Sequence, residues 1–225
     1  MVLATSPDSV LKIHSLSDIY SYDSNIPSDS LFIEYAGLWA QSPKAANFFS
    51  TLPSTFTKIN LIYSSLHDHV LPLPDYFRFF LIHQLNSPNL RDLSCQVQNE
   101  LYLDEAISKF CTSSEFENLE WSSVVPLSSS LIDSVFEAWK TTTWGNVDQE
   151  RNLKVFFVHD HCEHLVKALG LTVWEPTEEE IADMTSVIYA KTVRNENDSS
   201  RQVKIELLRR GEGYNHCLTL TLCSS

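Results

Sequence analysis

Two hydrophobic periods divide the chain. Over residues 31–145 apolar positions recur mostly at helical spacing, and past residue 150 they mostly alternate. Leu31, Tyr35, Leu38 and Trp39 share one face of a helix predicted over 31–41, behind the cap candidates Asp29 and Ser30. Ser42-Pro43 places a capping residue before a proline, which predicts a helix running to about Ser50. Residues 58–70 are apolar and fit a helix or a strand, and Pro72 and Pro74 end them. Asp75–Leu85 gathers Phe77, Phe80, Leu81 and Leu85 on one face, and Ser87-Pro88 opens a stripe of Leu90, Leu93, Val97 and Leu101. Ser114 with Glu117, and Ser130 with Asp133, resemble capping pairs; the second opens a helix with Leu131, Val135 and Trp139 inward. Residues 1–30, rich in Ser, Asp and Tyr, read as an irregular segment.

The C-terminal pattern differs. Residues 153–158 form an apolar run of strand length, 159–169 read as a helix ended by Gly170, and 171–174 as a second strand. Pro176 precedes a capping box, Thr177-Glu178-Glu179-Glu180, whose helix buries Ile181, Met184 and Ile188. Val203, Ile205 and Leu207 alternate with polar residues, as do Leu218, Leu220 and Leu222, and Gly211-Glu212-Gly213 lies between the two runs. That is the pattern of an antiparallel hairpin with one buried face. The predicted fold is therefore α+β in one domain over 1–225: a helical body over 31–145, then a β-α-β-α-β-β part over 150–225 ending in the hairpin. No internal repeat stands out.

Composition narrows the function classes. With 225 residues, 43% of them apolar, the chain can build a sizeable core without disulfides or metal. Five glycines leave little material for glycine-rich phosphate loops, and G-x-S-x-G, P-loop and G-x-G-x-x-G motifs are absent. The net charge is −13, of which −11 falls in the first 150 residues. Such a surface disfavours nucleic acid and anionic lipid and suits a basic protein partner. No segment has the length and apolarity of a membrane span, and five cysteines without C-x-x-C spacing suggest no disulfide framework. With no secretion signal read at the N-terminus, the implied compartment is cytoplasmic, or the nucleus.

Two features could carry function. His159, His161, Glu163 and His164 follow a predicted strand and open a helix, and imidazoles two and three residues apart can converge on zinc. The run H-x-H-x-E-H resembles the first ligand run of metallo-β-lactamase-fold hydrolases, H-x-H-x-D-H. Glu163 replaces that aspartate, and only 61 residues follow His164, with one histidine, His216, among them. The likeness stops at six residues and assigns no family. A zinc site on His159, His161 and His164 stays open beside a plain reading in which Asp160 and Glu163 cap a helix. His67-Asp68-His69 is a weaker triplet that reads as a polar helix end. The second feature is aromatic: Trp121 and Trp144 fall in predicted loops, where exposed tryptophans anchor protein interfaces, although tryptophan also folds back onto cores.

The leading expectation is a non-enzymatic acidic interaction protein: an adaptor, subunit or inhibitor docking on a basic face of a larger protein assembly. A viral accessory protein antagonising a host complex would fit that description. The alternative is a metal-dependent hydrolase built on His159–His164. If a basic partner binds, the helical body is expected to contact it, so reversing acidic residues there should abolish binding while substituting His159 and His161 should not.

Overall fold

Strands begin at Val10, inside the 1–30 segment expected to be irregular, and continue where a helical stripe was expected. The computed structural model of the chain describes residues 10–13, 29–35, 43–53, 55–63, 74–96, 103–122, 128–141, 150–157, 166–167, 169–173, 187–209 and 216–224. Within them the order is β1 (Val10–Ile13), β2 (Ser30–Tyr35), α1 (Pro43–Thr51), β3 (Lys58–Tyr63), α2 (Asp75–Leu85), β4 (Asp92–Gln96), α3 (Asp104–Cys111), β5 (Asn118–Ser122), α4 (Ser129–Thr141) and β6 (Arg151–Phe157). There follow β7 (Thr172–Val173), β8 (Val187–Arg194), β9 (Arg201–Arg209) and β10 (His216–Ser224). All ten strands form one sheet in the order β1-β2-β3-β4-β5-β6-β10-β9-β8-β7. Strands β1 to β6 are parallel neighbours in chain order, and the remaining strands pair antiparallel.

This is an α/β fold, and it overturns the helical body expected over 31–145. Ser30–Tyr35 satisfies two periods at once: Leu31 and Tyr35 are one helical turn apart, while Leu31 and Ile33 alternate with Ser30, Phe32 and Glu34. Leu31 and Ile33 are buried and the residues between them half-exposed, so the strand period wins. The Leu90–Leu101 stripe fails in the same way, since Leu93 and Cys95 alternate with Asp92, Ser94 and Gln96 in β4. Glu117, read as part of a capping pair, leads into β5 instead. Ile188, assigned to a helix, lies in β8 opposite Leu208; Ile181 and Met184 lie outside the described residues. Non-local strand pairing decides these segments, and no local window contains it.

Other elements agree with the pattern. Pro43 opens α1, Asp75–Leu85 is α2, and Leu131, Val135 and Trp139 are the buried stripe of α4. β9 and β10 pair with Leu207 opposite Leu218 and Ile205 opposite Leu220. Gly170 has φ +61°, Leu171 N–H donates to the Val166 carbonyl at 2.9 Å, and Gly170 N–H donates to the Lys167 carbonyl at 3.3 Å. That pair of bonds is the Schellman closure of a helical turn, which needs the left-handed residue that glycine supplies without strain.

The four helices among the described residues lie on one face of the sheet. α1 touches α2, α2 touches α3, α3 touches α4, and α4 reaches β9. Their buried residues join those of the strands in one core. Two rows run across the parallel strands: Leu31, Ile59, Leu93, Leu119 and Leu153, then Ile33, Leu61, Cys95, Trp121 and Val155. Phe49 packs on Tyr76, Phe77 and Phe80 over one part of this floor, and Phe116 bridges Phe110 and Trp139 over another.

The unit repeats in backbone terms. The carbonyl of the residue ahead of β2, β3 and β4 receives two amides from the next unit: Asp29 from Thr57 and Lys58, Thr57 from Arg91 and Asp92, Arg91 from Glu117 and Asn118. Glu117 then accepts from Asn152. The chain over β2–β6 thus climbs one strand per turn, in the manner of a short solenoid.

Buried polar groups tie the antiparallel extension to this stack. Asn195 donates to the Trp139 carbonyl at 2.9 Å while its Oδ1 accepts from Asn197 and Asp198 amides, and Trp139 Nε1 donates to the Cys111 carbonyl at 2.8 Å. Buried Arg151 donates to the Ser113 and Ser114 carbonyls at 3.0 and 2.7 Å, just past the end of α3. Desolvation, then the nearby Arg201, holds its guanidinium below the usual arginine range. Among the described residues no helix is long and apolar enough to cross a membrane.

Candidate functional site

Parallel sheets usually bury both faces under helices, and their strands then read as continuous apolar runs. Here the strands alternate, and the side opposite the helix layer is mostly polar, with Phe32, Ile62 and Phe156 among its residues. One outward row is Ser30, Lys58, Asp92, Asn118 and Asn152; the next is Phe32, Asn60, Ser94, Glu120 and Lys154; the third is Glu34, Ile62, Gln96, Ser122 and Phe156. Antiparallel pairing carries the first two onward through Thr221 and Lys204, and through Thr219 and Glu206.

The charges on this face are paired, across neighbouring strands for Lys58 and Lys154 and along one strand for Lys204. Lys58 Nζ lies 2.6 Å from Asp92 Oδ2, and Asn118 Nδ2 donates to Asp92 Oδ1 at 3.0 Å, so one carboxylate links β3, β4 and β5. Lys154 Nζ sits 3.7 Å from Glu120 and 4.8 Å above the Phe156 ring, while Lys204 meets Glu206 at 3.0 Å on β9. Thr221 donates to Asn152 Oδ1 at 2.9 Å, joining β10 to β6. The side chains of Lys58 and Lys154 are 56% and 44% exposed, which puts these two positions in solvent, whereas Asn60 Oδ1 on the same side is buried. Exposed pairs of this kind stabilise the fold by about 0–1 kcal/mol each. They hold donors and acceptors at the sheet's regular spacing of about 4.8 Å, which suits a rigid recognition surface.

Cys95 and Cys111 are fully buried, and burial pushes both thiols up, away from thiolate formation. Among the described residues no group of three His, Cys, Asp or Glu is placed to hold a metal ion.

The residues singled out from sequence fall as follows. His159, His161 and His164, with Cys162 and Glu163, lie outside the described residues, as do His67, Asp68, His69 and Trp144. Trp121 is no loop anchor: it sits in β5 on the helix side, 1% exposed, with Cys95 and Val155 beside it in the core row. Ser122 turns outward and Trp121 inward because adjacent strand residues point to opposite faces. The outward rows themselves escaped sequence reasoning. Their signal is a recurring polar–Leu/Ile–x–apolar step at Ser30-Leu31, Lys58-Ile59, Asp92-Leu93, Asn118-Leu119 and Asn152-Leu153, spaced irregularly. No family model, curated protein or solved structure matches the chain.

Proposed function

We propose that this chain is a non-enzymatic interaction protein that docks on a basic face of a larger protein, using the open side of its sheet. One observation carries the reading: a mostly parallel sheet whose outward side, among the described residues, exposes Lys58 and Lys154 and holds polar side chains in cross-strand pairs. Stacked strand–helix units present broad, rigid surfaces of this kind to protein partners. The net charge of −13 supplies long-range attraction to a basic surface.

The test is affinity capture from expressing cells, comparing the wild-type chain with two variants. Ser94→Arg with Gln96→Arg adds two cations to the middle of the open face, on β4. Asn47→Arg adds one on the exposed side of α1, in the helix layer. A stoichiometric partner retained by Asn47→Arg and lost by the β4 double variant is the expected result. A partner retained by the double variant, or none with any form of the chain, would overturn the proposal.

A further inference from the structure

We draw no further inference here: the strongest candidate, the pair of buried guanidiniums of Arg151 on β6 and Arg201 at the start of β9, is already engaged within the fold, Arg151 by the Ser113 and Ser114 carbonyls and Arg201 by Asp198, so nothing in it selects an anion from outside.

Discussion

Tyr76 shows how a single hydroxyl can sit at odds with a sound core. Its ring stacks on Phe49 at 5.7 Å, and its hydroxyl meets no hydrogen-bond partner among the described residues. Burial pushes the phenol up to about 12 from an ordinary value of 10.0. A buried polar atom without a partner costs about 1–3 kcal/mol, and removing it while keeping the ring avoids that cost. Tyr76→Phe should therefore stabilise the fold by about 1 kcal/mol, read as a higher denaturant midpoint at unchanged slope. The pH dependence has a definite sign. A raised phenol leaves stability intact below pH 10 and erodes it as pH climbs from 10 towards about 12, because the unfolded chain ionises first. The phenylalanine variant should lose less stability over that window, and an unchanged alkaline profile would show that Tyr76 does not contribute.

At the scale of elements, α4 tests where a helix really starts. The sequence pointed to Ser130 and Asp133, yet Ser128 Oγ accepts the Leu131 amide at 3.2 Å, while Ser130 Oγ only meets Ser128 Oγ at 3.1 Å. Ser128→Ala should destabilise the protein by about 1 kcal/mol and Ser130→Ala by less than about 0.5 kcal/mol, measured by equilibrium denaturation. The reverse ranking would restore Ser130 as the cap. Helices α2 and α4 were legible in advance because each carries a long periodic stripe within one local window. Strands β9 and β10 were legible because Val203, Ile205 and Leu207, and Leu218, Leu220 and Leu222, alternate with more polar residues over their central positions. β2, β4 and β5 were not, since five- or six-residue strands such as Ser30–Tyr35 hold too few positions to separate a period of two from one of 3.6. Their identity comes from parallel neighbours at least 20 residues away in the chain, such as Val10 and Ser30 or Asp92 and Asn118. The open face was hidden for the same reason. Its rows exist only once β2 to β6 lie side by side, and Trp121, which reads as an exposed loop residue, becomes the largest side chain of its core row.

Across the whole molecule, charge and contact surface separate. The chain carries −13, yet Lys58–Asp92, Lys154–Glu120 and Lys204–Glu206 leave the open face locally balanced. The acidic excess therefore acts from outside the contact, through a field that salt shortens, whereas the paired residues act at contact distance. Raising ionic strength from about 0.01 M to about 0.15 M shrinks the screening length from about 30 Å to about 8 Å. Association with a basic partner should slow by at least about tenfold over that range, as expected for electrostatic steering. Dissociation should change by less than about threefold, because packing and pre-paired polar groups hold the docked complex. Stopped-flow or surface-plasmon kinetics at several salt concentrations read the two rates separately. If dissociation carried the salt dependence, the lysines and carboxylates of the open face would have exchanged their cross-strand partners for the docked protein. Ser94→Arg with Gln96→Arg should then act mainly on the off-rate, whereas the steering picture assigns a large share of its effect to the on-rate.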